Sequence, residues 1–134
     1  AGSHPNGRVH PAAIGLLKKL GHPLASLRSK SWEEFSGSKA PRIDFVFTVC
    51  DSAASEVCPV WPGQPVSAHW GLPDPAAVDG TQHQIHLAFA ETYKMLEHRI
   101  ALLVDLPLES LDSVSLKKQL DAIGNAGPSP KNIS

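Results

Sequence analysis

A chain of 134 residues, 42% hydrophobic and 19% charged, has the size and composition of one globular domain, not of a disordered protein. The formal net charge of −1 gives no electrostatic reason to expect nucleic acid or an anionic membrane as partner. No apolar run nears the roughly 18 residues that a membrane-spanning helix needs.

Pro5 and Gly7 make residues 1–11 a loop, in which His4 and His10 read as solvent-facing turn residues. From Pro11 to Leu20 the apolar residues Ala13, Ile14, Leu16, Leu17 and Leu20 have helical spacing. Pro11 suits the first turn, Lys18 and Lys19 the last, and Gly21 the stop. Arg28 and Lys30 form a basic turn, open either to solvent or to an oxyanion. Ser31, with Glu34 three residues on, predicts a capping box for a short helix.

The centre of the chain is Ile43–Pro75. Ile43–Val49 is apolar, β-branched and aromatic, and too short for a typical helix, so it predicts a buried strand. It ends at Cys50 and Asp51. After the seven residues Asp51–Val57 comes Cys58, sealed by Pro59. The prolines around Trp61 predict a stiff extended loop over residues 60–65. A second strand, Val66–Trp70, then feeds Gly71 and the Pro-Asp-Pro turn that carries Asp74.

The two cysteines are too few for a secreted disulfide scaffold. They read either as a thiol–disulfide pair in a reducing compartment or as a buried strand-end residue and a plain loop thiol. If residues 51–57 are helical, the two sulfurs lie ~12 Å apart along the axis. A disulfide needs Cα atoms within roughly 7 Å, so bonding Cys50 to Cys58 would require that segment to unwind or loop back. Asp74, directly before Pro75, reads as the opener of an Asp-Pro turn.

From Thr81, an N-cap, to Val104 runs the longest helix, with Ile85, Phe89, Leu96, Ile100 and Leu103 as its apolar stripe. His83 and His86 share a face at i and i+3, but no carboxylate or thiol beside them completes a metal set, so no metal and no cofactor is expected. A last helix covers Ser113–Ile123 with Val114, Leu116, Leu120 and Ile123 apolar and Gly124 as stop. Residues 125–134 read as a disordered tail. The whole is an α/β single domain over residues 1–124, with parallel strands near 43–49 and 66–70 packed by helices.

FTVCDSAASEVCPVWPG followed by AHWGLPDPA resembles the thioredoxin-coupled arsenate reductases, which have the low-molecular-weight tyrosine phosphatase fold. SHPNGRVHP, LRSKSWEEF and LDSVSLKKQLDAIG extend the resemblance over nearly the whole chain. It implies a cytoplasmic enzyme that reduces arsenate to arsenite, with thioredoxin or a similar dithiol as electron donor. It further implies Cys50 and Cys58 as the thiol relay and Asp74 as the acid. That family opens with a strand and a phosphate-binding loop in which Cys and Arg-Ser are five residues apart. Neither Cys50 nor Cys58 has an Arg six positions on.

The resemblance therefore describes a reductase without its first strand, phosphate loop and first helix. With Ala1 first and Met95 the one methionine, the sequence reads as a processed product or a piece of a longer protein. Three expectations follow. The 134 residues alone have little or no turnover. A strand built to be central exposes its edge, because a strand–loop–helix unit of on the order of 30 residues is absent. The chain then self-associates or binds a missing N-terminal piece. The other functions left open are a non-catalytic α/β binding or redox-sensing module and a phosphatase of small phosphoesters.

Overall fold

The computed structural model describes residues 1–2, 4–49, 61 and 63–125. Within these the fold is mixed α/β. Its two strands, β1 (Phe45–Thr48) and β2 (Val66–His69), pair in parallel with Phe45 opposite Val66 and Thr48 opposite His69. The helices are α1 (Pro11–Lys19), α2 (Gln82–Val104) and α3 (Ser113–Asn125), with 3-10 turns at Trp32–Phe35 and Pro75–Ala77.

Alternation along the strands decides which face is buried. Phe45 and Phe47 on β1, with Val66, Ala68 and Trp70 on and after β2, turn to one side. There Ala68, Trp70, Leu120 and Ile123 form the core, with Leu102, Leu103 and Leu106 packed against it. Trp70 is the anchor. It is 2% exposed, its ring lies 4.0 Å from that of Phe47, and its indole N–H donates to the carbonyl of Leu120 at 3.0 Å. Lys117 adds a tie from α3 to β2, its Nζ donating to the Ser67 carbonyl at 2.6 Å.

α1 lies against α2, outside this core. It starts at Pro11 and is stopped at Gly21 as expected: Gly21 adopts φ +82°, its N–H donates to the Lys18 carbonyl, and that of His22 to the Leu17 carbonyl. This satisfies the last carbonyls in a Schellman arrangement. His10 is not a free turn residue. Its Nδ1 accepts from the Ala12 N–H at 3.0 Å, capping α1, and its ring sits 4.6 Å from Phe89. His22 reaches the Tyr93 hydroxyl at 2.9 Å, so both ends of α1 are fastened to α2.

Four expectations need correction. Ser31 caps its turn through the Glu33 N–H, at 3.2 Å, and Glu34 does not close a capping box. Glu34 instead takes both terminal nitrogens of Arg28, at 2.9 and 2.5 Å, because a bidentate charge-assisted pair outweighs a neutral cap bond. That pair holds the Glu34 carboxyl below its usual range and removes Arg28 from the candidate anion ligands. Residues 63–65 do not run straight: Gly63 and Gln64 both have positive φ, 84° and 49°, and form a turn. Gly124 does not end the last helix, which continues through Asn125. Finally, Ile100 and Val114 are 49% and 67% exposed, so neither belongs to an inward stripe.

The cap of α2 does form as expected, with reciprocal bonds between Thr81 and Gln84 at 2.8 and 3.1 Å. Asp112 performs the same service for α3 by accepting the Ser115 N–H at 2.7 Å, which holds its carboxyl below the usual 3.8. Trp32 and Trp61, both half-buried, meet edge to face with centroids 6.2 Å apart and planes at 81°.

Candidate active site

The two strands end side by side, and their ends lead to the residues singled out for chemistry. Beyond the four-residue ladder, Trp70 N–H donates to the Thr48 carbonyl at 2.7 Å and Leu72 N–H to the Val49 carbonyl at 2.9 Å. The pairing thus runs on to Val49, the residue directly before Cys50. Cys50 and Cys58 themselves, with the segment between them, lie outside the described residues. Thr48 Oγ and His69 Nδ1, opposite each other in the register, are 2.7 Å apart at this edge.

Asp74 follows three residues after Gly71 in an exposed loop. Its Oδ1 accepts the Ala76 N–H at 2.9 Å and its own carbonyl accepts from Ala77 at 3.1 Å. It thereby caps the Pro75–Ala77 turn, with Pro75 at the first helical position. The cap uses one carboxylate oxygen. The structure places the Asp74 loop beside the strand end that precedes Cys50.

Sequence reasoning did not single out Arg99. It lies on α2, is 6% exposed, and donates from Nη1 to the Gly71 carbonyl at 3.3 Å. Desolvation lowers the pKa of its guanidinium. A usable signal existed: Arg99 is three residues after Leu96 and four before Leu103, on the apolar stripe itself.

A cleft of about 410 Å³ on the flank of the loop is lined by His69, Gly71, Leu72, Pro73, Gly124 and Asn125. A larger one, about 630 Å³, lies elsewhere, between residues 7–15 and 27–29, and its lining contains neither thiol nor carboxylate. Among the described residues no three His, Cys, Asp or Glu side chains gather where they could hold a metal ion. His83 and His86 are exposed in the first turns of α2. No helix among the described residues is long and apolar enough to cross a membrane.

The family model of the low molecular weight phosphotyrosine protein phosphatases matches residues 1–120. The chain belongs to that family. It is similar to a protein named arsenate reductase from Shouchella clausii, 37% identical over 100 residues, which is 75% of this chain and 68% of the relative. A second arsenate reductase, from Halalkalibacterium halodurans, is 32% identical with the same coverage. A third, from Bacillus subtilis, is 31% identical over 84 residues, 63% of this chain and 57% of that protein. The family and these relatives carry the names of enzymes, which supports an enzyme here, and the small parallel sheet with flanking helices fits that fold.

Proposed function

We propose that the chain carries the thiol relay and the acid of an arsenate reductase that draws its electrons from thioredoxin or a similar dithiol. The supporting observation is the extension of the β1–β2 pairing to Val49 and Leu72, which sets the approach to Cys50 beside the Asp74 loop. The names of the relatives point to the same substrate.

A first thiolate attacks arsenate and forms a sulfur–arsenic(V) bond as one oxygen leaves as water, with Asp74 supplying the proton. Cys50 attacks that sulfur. The electron pair of the sulfur–arsenic bond goes to arsenic, which departs as arsenite, and a mixed disulfide remains. Cys58 attacks Cys50 of this disulfide and frees the first thiol. The Cys50–Cys58 disulfide is then reduced by the dithiol donor. Two thiolates are oxidised for each two-electron reduction of arsenic. Each attack needs a thiolate and an accessible sulfur.

Because no cysteine of this chain is followed six residues later by arginine, the first thiol must come from elsewhere. Arsenate alone should give arsenite no faster than a Cys50→Ala control. With arsenate and a small thiol such as glutathione, arsenite and the Cys50–Cys58 disulfide should appear together in equal amounts, and thioredoxin should restore both thiols. Cys50→Ala should abolish both products, whereas Cys58→Ala should stall as a mixed disulfide visible by mass. A disulfide that forms on mild oxidation but is not accelerated by arsenate would overturn the reductase reading in favour of a redox-sensing module.

A further inference from the structure

We propose that Arg99 is a positioning residue, which locks the Asp74 loop in register with the strand end leading to Cys50. Arg99 is the one charged residue among the buried residues described. Withdrawing a guanidinium from water is costly unless hydrogen bonds offset it. Leucine or methionine would fill a place on the apolar face of α2 without that penalty, so its side chain is better explained by what it holds than by the volume it fills.

What it holds is one of three consecutive residues, each fastened from a different element. Trp70 is tied to α3 through Leu120, Gly71 to α2 through Arg99, and Leu72 to the end of β1 through Val49. Pro73 and Pro75 flank Asp74, and each fixes φ near −65°, so orientation set at Gly71–Leu72 is passed on to the carboxylate with little slack. Without the Gly71 tie, the loop would hinge between Trp70 and Pro73. The carboxylate would then lose its fixed place relative to β1 although the core stayed intact. The role assigned to Asp74 in this argument rests on the reductase reading; the mechanical role of Arg99 does not.

The test uses Arg99→Met, which keeps the volume and removes the donors, and Arg99→Lys, which restores a cationic donor. Amide hydrogen exchange of Leu72 should accelerate about tenfold or more in Arg99→Met, the loss of one charge-assisted bond, and return to within about threefold of wild type in Arg99→Lys. Exchange at Leu120 and Ile123 should stay within about twofold in both. In the thiol-supplemented arsenite assay, Arg99→Met should lower kcat about tenfold with KM for arsenate within about twofold, and Arg99→Lys should recover most of the rate. Unchanged protection at Leu72 in Arg99→Met, or equal loss of protection at Leu72 and throughout α3, would overturn the proposal. Absence of arsenite from the wild-type chain would sink the reductase reading, and the exchange result would still decide the role of Arg99.

Discussion

Replacing Trp70 with alanine is expected to cost about 3–5 kcal/mol of stability, the range for emptying a buried aromatic site. Three losses combine in that figure. The ring is withdrawn from the core it shares with Ala68, Leu120 and Ile123, the contact with Phe47 disappears, and the Leu120 carbonyl loses the indole N–H. Since domains are stable by only about 5–15 kcal/mol, such a loss consumes much of the margin. Trp70→Phe separates the contributions: most of the packing survives, the N–H does not, and a cost of about 1–2 kcal/mol is expected. Urea unfolding followed by far-ultraviolet circular dichroism measures both. A Trp70→Ala midpoint that implies less than about 1 kcal/mol would mean that Trp70 is not the anchor described.

The same substitution, glycine to alanine, should have opposite signs in two helices. At Gly124 a Cβ would stand 2.6 Å from Trp70 Cδ1 and 2.7 Å from the His69 carbonyl oxygen. The second neighbour is backbone and cannot step aside, so α3 must lift from β2, at about 1–3 kcal/mol. At Gly15, inside α1, nothing lies within 4 Å of a built Cβ. There alanine gains helix propensity and should stabilise by about 0.5–1 kcal/mol. Thermal melts of the two variants check the pair. A neutral Gly124→Ala would show that α3 does not seat on β2 as closely as its contacts indicate.

These two glycines illustrate where the sequence could be read and where it could not. Both strands, their neighbourhood, the three helices and the Thr81 cap were legible, since each rests on local periodicity or a short spacing rule. Gly124 reads as a stop because a glycine after Ile123 looks the same whether it ends a helix or makes room for a neighbour. Only the position of Trp70, 54 positions earlier, distinguishes the two. Arg99 and Ile100 present the same difficulty. A hydropathy stripe assigns the inward place to isoleucine, yet the helix turns arginine inward because a carbonyl awaits it across the fold at Gly71.

The candidate site divides along the same line. The order of Cys50, Cys58 and Asp74 was visible as motif, and the pairing that sets Val49 against Leu72 was not. Likewise Ser31 and Glu34 have capping-box spacing, but Arg28 competes for the carboxylate, and spacing rules carry no account of competitors.

The edge-to-face indoles of Trp32 and Trp61 give the molecule a built-in optical reporter. Indole emission responds to what surrounds the ring, and the three tryptophans occupy two kinds of surroundings. Trp70 is sealed in the core and its emission follows unfolding of the whole. Trp61, three positions past Cys58, is half-buried and coupled to Trp32. Under the proposed relay, a bond between Cys50 and Cys58 forms just ahead of Trp61 in the chain, so the oxidation state of the two thiols should be readable in the spectrum without a label.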